Sequence, residues 1–166
     1  MPNFSLKKWE KLVDDFYKKY KGLCAWQKRY FKEVQRTGRL VSPITGRVWN
    51  FNKYPDKDGA YAYKWAQVCN YPVQGTAYDI IALWMCLCNK QLCSYPDVKL
   101  IIQVHDEIVY DCPTEYVDIV ANTCYNIINR LDTSMESFFN CICNVPFTGE
   151  VKVGSTWGET EKYKFN

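Results

Sequence analysis

The side chains best suited to catalysis stand together at His105, Asp106 and Glu107, which hold the chain's only histidine and two adjacent carboxylates. They separate two runs rich in β-branched residues, 98–104 and 108–110. The first run alternates with the period of two that is typical of a strand. We therefore predict a hairpin with a charged turn. Charged groups are costly to bury, so the turn should face a cleft, a metal or solvent. Taken alone, the triplet is more typical of a solvated acidic turn than of a catalytic site.

A second motif, Asn70-Tyr-Pro-Val-Gln-Gly-Thr-Ala-Tyr-Asp79, lies upstream of Gln103-Val-His-Asp-Glu107. These two motifs, in this order and at about this separation, resemble the C-terminal part of family A DNA polymerases, the DNA polymerase I type that includes phage replicases. The resemblance implies that the hairpin belongs to a polymerase palm and carries one of two catalytic aspartates. It also implies that the first motif opens a long helix beside the DNA.

The resemblance assigns roles to the hairpin residues. Asp106 would be one of two aspartates that hold a pair of Mg²⁺ ions. In such sites one ion activates the primer 3′-hydroxyl and the other neutralises the departing pyrophosphate, and Mg²⁺ requires oxygen ligands. Glu107 would assist through water or position the primer end, and His105 would lie near the primer terminus. The alternatives are a structural or solvated carboxylate for Glu107 and simple turn stabilisation for His105.

Amide side chains at Asn70 and Gln74, joined upstream by Gln67 and Tyr63, form a candidate DNA-binding set. Amides suit the minor groove, where every base pair presents an N3 or O2 acceptor. Such contacts test base-pair geometry without selecting a sequence, as a replicase requires. The alternative role for these amides is helix capping around Pro72. An arginine that is common just upstream in family members is absent here.

Charge is distributed unevenly, because residues 1–53 carry 13 Lys and Arg against 4 Asp and Glu, whereas the remainder carries 8 against 14. A basic first third suits a polyanion such as primer-template DNA. Each residue could equally be only solvated. The candidate phosphate contacts are Lys28, Arg29, Lys32, Arg36, Arg39 and Arg47.

Composition indicates a single globular domain, because 166 residues with 48% hydrophobic content can build a core. There is no apolar run of about 18 residues for a membrane span, and the N-terminal residues lack an apolar signal core. The nine cysteines include two C-x-C pairs, which are not typical of a zinc site. We expect reduced thiols, packed mostly as small hydrophobes, in the cytoplasm of a bacterium or a phage-infected host.

We predict an α+β fold, a partial palm in which a short antiparallel sheet holds the His-Asp-Glu hairpin between helices. Such a part of a polymerase should expose a sheet edge and an apolar face. The first predicted elements are a helix from Ser5 to Lys21 ended by Gly22, a helix to Arg36 stopped by Thr37-Gly38, and a hairpin around 43–46. Helices over 60–69 and 73–91, separated by Pro72, then precede the strand pair. The remaining elements are a helix from Pro113 or Thr114, a short helix over 135–140, and a strand over 147–153. The ending Gly154-Ser-Thr-Trp-Gly158 resembles the family's closing "val-gly-x-x-trp" segment.

Two further family motifs do not occur in these 166 residues. One is an Asp-Tyr-Ser-x-x-Glu strand, which would bring the first catalytic aspartate, and the other is a fingers helix, which would bind the incoming dNTP. Glu107 cannot replace that aspartate, because neighbouring strand side chains point to opposite faces. We therefore expect that the chain does not polymerise alone and that a second polypeptide supplies the missing motifs.

Several alternatives to a split subunit remain at this stage. The chain could be the product of an interrupted gene or a fragment. It could also be a non-catalytic DNA-binding accessory or polymerase remnant. A metal-dependent nuclease or phosphatase fits less well, because such sites usually need several His or Asp ligands.

Overall fold

The computed structural model describes residues 5–165 and confirms the α+β class. The chain divides between Gln74 and Gly75 into two compact units. This division falls inside one helix. Each unit has its own hydrophobic core.

Two helices, two short hairpins and the first part of a third helix build the first unit. The elements are α1 (Leu6–Lys19), α2 (Lys21–Thr37), β1 (Arg39–Val41), β2 (Val48–Asn50), β3 (Tyr54–Pro55), β4 (Tyr61–Ala62) and the start of α3 (Trp65–Leu92). α2 ends as predicted at Gly38, whose φ of 74° is the left-handed conformation that glycine adopts without strain. The break between α1 and α2 was predicted at Gly22 but lies at Tyr20, where φ of −104° and ψ of 58° leave the helical region.

The core of this unit lies between α2, the β1–β2 hairpin and α3. Its buried residues are Val34, Leu40, Trp49, Phe51 and Val68. Tyr63 packs against this cluster rather than lying on α3 with the amides, so the prediction that joined it to them is wrong. α1 adds nothing to the core, because none of its residues is buried.

The second unit contains the remainder of α3 and all later elements. These are β5 (Lys99–Val104), β6 (Glu107–Asp111), a 3₁₀ turn (Thr114–Tyr116), α4 (Val117–Ile128), α5 (Leu131–Phe139), β7 (Lys152–Thr156) and β8 (Glu159–Lys162). Its core residues are Trp84, Cys88, Leu92, Val120, Cys124, Ile127, Ile128 and Leu131. The indole of Trp84 donates a hydrogen bond to the carbonyl of Cys124, which fixes α3 against α4.

Three boundaries differ from the predictions. The helix predicted from Ala60 begins at Trp65, because Tyr61–Ala62 pairs with β3. Pro72 neither ends nor restarts a helix but lies inside α3, where it is buried. Packing of this segment outweighs the loss of one backbone hydrogen bond. The strand predicted over 147–153 is β7 and lies over 152–156, because it pairs with β8 across a turn at Trp157 and Gly158.

The β7–β8 hairpin depends on a glycine for its close approach. A Cβ atom on Gly154 would overlap the backbone of Glu159 and lie 2.9 Å from the Cα of Thr160. The two strands can therefore meet at this point only without a side chain.

All sheets within residues 5–165 consist of two antiparallel strands. The nine cysteines are free thiols; Cys69, Cys88 and Cys124 are buried, whereas Cys86 and Cys93 are exposed. None of the helices in this part of the chain combines the length and apolarity that a bilayer crossing requires.

Candidate active site and nucleic-acid interface

The His-Asp-Glu triplet lies at the tip of the β5–β6 hairpin. Val104 pairs with Glu107, so His105 and Asp106 form a two-residue turn. His105 has φ of 52°, and a positive φ at the first central position is characteristic of the tight turns that join twisted strands. All three side chains are exposed, so the Asp106 carboxylate is accessible to a ligand.

Two hydrogen bonds hold this tip. The amide of Gln103 donates to the carbonyl oxygen of His105 at 2.6 Å. The indole Nε1 of Trp157, at the tip of the β7–β8 hairpin, donates to Oε1 of Glu107 at 2.6 Å. Both segments are recognisable in the sequence, but the contact between them is not. The position of a tryptophan in the closing motif was the only available signal.

The inward side chains of the β5–β6 hairpin anchor it to the hydrophobic core of the second unit. Ile108 and Tyr110 pack against that core, and the Tyr110 hydroxyl donates to Oδ1 of Asn89 on α3 at 3.3 Å. Burial raises the pKa of Tyr110 above its ordinary value. A register shift lies between Leu100 and Ile102, and Val104, at the end of β5, is exposed.

Asp106 offers the carboxylate oxygens that a metal ion binds, but a metal site needs further ligands beside it. Mg²⁺ takes oxygen ligands in near-octahedral geometry, and a carboxylate at the tip can provide one of them. Within residues 5–165 no group of three or more His, Cys, Asp or Glu side chains is arranged to hold a metal. The described part of the chain therefore offers an accessible ligand and not a complete metal site.

The predicted amide residues share one side of α3. Gln67, Asn70 and Gln74 follow at spacings of three and four, which places them along a single helical face. Asn70 and Gln74 are exposed and Gln67 is half-buried, whereas Val68 and Pro72 on the opposite side are buried. α3 runs through Pro72 without interruption, so no helix end exists there for these amides to cap.

The predicted basic residues fall into two places. Arg29 and Arg36 lie on one face of α2, where a shallow concave surface is lined by Ala25, Lys28, Arg29, Lys32, Glu33 and Arg36. Arg36 is also held by Glu33 at 2.7 Å. Arg47 is exposed beside the β1–β2 turn. These residues and the amides belong to the first unit, and the hairpin belongs to the second.

Comparisons with known proteins all relate the chain to the same family. The family model for DNA polymerase family A matches residues 3–159. The DNA polymerase of Bacillus phage SP01 is 28% identical over 155 residues, which is 90% of this chain and 16% of that protein. DNA polymerase I of Aquifex aeolicus is 29% identical, covering 92% of this chain and 24% of the relative. DNA polymerase I of Pseudomonas aeruginosa is 28% identical, covering 89% and 15%. The chain thus spans less than a quarter of each relative's length.

Proposed function

Because the chain belongs to DNA polymerase family A, we propose that it supplies the C-terminal palm portion of a template-directed DNA polymerase, as a split subunit completed by a second polypeptide. The observation that carries this proposal is the exposed Asp106 at a tight hairpin tip, in a chain matched by the family over almost its whole length. Primer-template DNA and dNTPs would be the substrates of the completed enzyme.

Asp106 would provide one ligand to the catalytic metal, while the second aspartate comes from the partner. Family A polymerases generally use Mg²⁺, which when bound lowers the pKa of an attacking hydroxyl and neutralises phosphate charge. The contribution of this chain is the carboxylate and its rigid support. The Tyr110–Asn89 hydrogen bond and the apolar side chains beneath the hairpin supply that support. Glu107 and His105, next to Asp106, would contact the primer end.

DNA contacts would come from the first unit. Gln67, Asn70 and Gln74 present amides along one face of α3, which suits the acceptors of the minor groove. Arg29 and Arg36, together with Lys28 and Lys32 on α2, suit the phosphate backbone. Arg47 adds a further positive charge beside a turn. These groups contact features that all duplexes share, as a replicase requires.

The second polypeptide would cover a defined surface on α1. Leu6, Trp9, Val13, Phe16 and Tyr20 recur at alternating spacings of three and four and are 46–75% exposed. A helical seam with this spacing packs well against another helix, and an exposed apolar surface of this kind marks an interaction site. The unpaired edges of the two-stranded sheets offer a second place for the partner to add a strand.

Primer extension with Mg²⁺ and dNTPs tests this proposal. The chain is assayed alone and together with the product of the neighbouring gene that carries the missing motifs. We expect extension only in the mixture and its loss with Asp106→Asn. Asp111→Asn, an exposed aspartate at the far end of the same hairpin, is the matched control and should retain activity. Extension by the chain alone would contradict the split-subunit proposal.

A non-catalytic DNA-binding accessory is the second candidate. The observation that favours it is the basic face on α2, which requires nothing from the hairpin. Salt-sensitive DNA binding by the chain, with no extension in any mixture, would support the accessory function and overturn the catalytic one.

A further inference from the structure

The hydrogen bond between Trp157 and Glu107 joins two hairpin tips across 50 residues of sequence. The distance of 2.6 Å is at the short end for an N–H donor and a carboxylate. Trp157 is 53% exposed and Glu107 is also exposed. Close packing therefore does not force these groups together, and the contact depends on the hydrogen bond and on the shape of the two hairpins.

The chemistry of the pair leaves Glu107 able to act on a ligand. An indole N–H donates a single hydrogen bond and accepts none, whereas a carboxylate has about four acceptor positions. Oε1 is occupied by the indole, and across residues 5–165 no hydrogen bond from a side chain reaches Oε2. The indole thus fixes the direction of the carboxylate, while the acceptor positions of Oε2 stay available to a ligand.

We propose that Trp157 is a positioning residue, which acts on the polymerase reaction by holding the Glu107 carboxylate in one orientation at the hairpin tip. This inference rests on the proposed function, because it assigns the available oxygen of Glu107 to the primer end or to a water near it. A glutamate that is already ordered loses less side-chain freedom when the substrate binds. Misplacing a group beside the reacting atoms by about 1 Å can lower the rate by about 100-fold.

The rest of the β7–β8 hairpin explains why the contact is available. Gly154 lets the strands approach closely, and Tyr163, just beyond β8, donates from its hydroxyl to Oδ1 of Asp118 on α4 at 2.5 Å. The hairpin is therefore fixed at its base independently of Trp157. Tyr163 therefore helps to hold the hairpin in place, whereas Trp157 orients the Glu107 carboxylate.

The test compares Trp157→Phe with Tyr163→Phe in the reconstituted mixture. Each variant keeps an aromatic ring and removes one donor to a carboxylate. We expect Trp157→Phe to lower kcat for primer extension by about 10-fold or more, with unchanged DNA affinity and an unchanged Tm of the isolated chain. Tyr163→Phe should leave kcat unchanged, because the backbone hydrogen bond from Tyr163 to Val151 and the packing of its ring on Phe165 still hold the base of the hairpin. An equal loss of kcat in both variants would mean that Trp157 has only a structural role and would overturn the proposal.

A double-mutant cycle adds a readout that a structural role would not move. If Trp157 acts through Glu107, Trp157→Phe should have no further effect on kcat in a Glu107→Ala background. Independent, additive losses would overturn the positioning role while leaving the polymerase function intact. If the unaltered mixture fails to extend a primer, the proposed function fails and this inference fails with it.

Discussion

The indole N–H of Trp84 donates a hydrogen bond of 3.1 Å to the backbone carbonyl of Cys124, and both residues are buried in the second core. The contact joins the middle of α3 to α4 across 40 residues of sequence. This hydrogen bond contributes to stability because, without the indole donor, the buried Cys124 carbonyl would lose a partner that water cannot replace.

We expect Trp84→Phe to destabilise the chain by about 1–3 kcal/mol, through loss of this hydrogen bond and of part of the ring volume. Denaturant unfolding measures the change. Trp157→Phe, which removes an exposed indole, should cost much less. Equal costs would show that the Trp84 hydrogen bond does not stabilise the core.

The buried thiols predict loss of stability at alkaline pH. The hydrogen bond to Cys124, together with burial, raises the pKa of Cys88 above its ordinary value of 9.0, and burial raises that of Tyr110. The unfolded chain loses the Tyr110 proton only above about pH 10. It loses the Cys88 proton first, above about pH 9, whereas the folded chain retains both protons. Stability is therefore fully present below that pH and falls as the pH rises, by about 1.4 kcal/mol per pH unit for each group.

Denaturant unfolding under reducing conditions, at a series of pH values from about 8 to 10, tests this dependence. Cys88→Ala should make the fall shallower, whereas Cys93→Ala, which alters an exposed thiol, should leave it unchanged. A decline of equal slope in all three proteins would exclude the buried thiol as its source.

Salt dependence of DNA binding tests the basic face of α2. Each phosphate contact contributes a slope of about −0.9 in log affinity against log salt for duplex DNA. The triple variant Lys28→Ala, Arg29→Ala, Lys32→Ala should weaken binding and reduce the slope by up to about 2.7. Fluorescence anisotropy with a labelled primer-template measures both quantities.

A matched control removes the same charge from another helix, with Lys7→Ala, Lys11→Ala and Lys18→Ala on α1. If that variant reduces the slope as much as the α2 variant, binding reflects the overall positive charge of the first unit and not a specific surface.

The amide side chains along one face of α3 predict that their removal weakens the binding of primer ends. Asn70→Ala and Gln74→Ala should each lower affinity for the primer-template by about 5- to 10-fold, which corresponds to about 1 kcal/mol for one hydrogen bond. The reconstituted mixture should also extend mismatched ends relatively more readily. Gln91→Ala, an exposed amide later on α3, should have neither effect. Unchanged discrimination in both variants would exclude minor-groove sensing.

The exposed seam on α1 predicts that Phe16→Glu weakens association with the second polypeptide by at least about 10-fold, because it places a charge among apolar side chains. The Tm should change little, since Phe16 is 47% exposed. Lys11→Glu, on the opposite side of the helix, is the control. Analytical ultracentrifugation of the mixtures distinguishes the variants, and equal association of both would argue against this surface.

The sequence predicted those elements whose formation depends mainly on interactions between residues close together in the chain. Gly38 ends α2 because glycine adopts the left-handed conformation, and apolar periodicity located α3 from Ile80 onward and α4. Pro72 was misassigned because the local rule against proline in helices yields to the packing of a buried segment. The break at Tyr20 carried no glycine or proline to mark it.

The site was predictable only within each motif. Spacing placed Asp106 in a turn and Gln67, Asn70 and Gln74 along one stretch, but the contact of Trp157 with Glu107 joins distant segments. No periodicity encodes such a pair, because it depends on how two hairpins pack. The division into two units falls between Gln74 and Gly75, inside the helix predicted over 73–91, and no linker residues mark it in the sequence.

Gly154 has a consequence for genetic variation in this chain. Any other residue there would push β7 away from β8 and carry Trp157 with it. In a library of single-codon changes selected for polymerase activity, position 154 should therefore be depleted as severely as position 106, although its residue has no functional group. Tolerance at the neighbouring Ser155 would show that selection acts on backbone clearance and not on the loop as a whole.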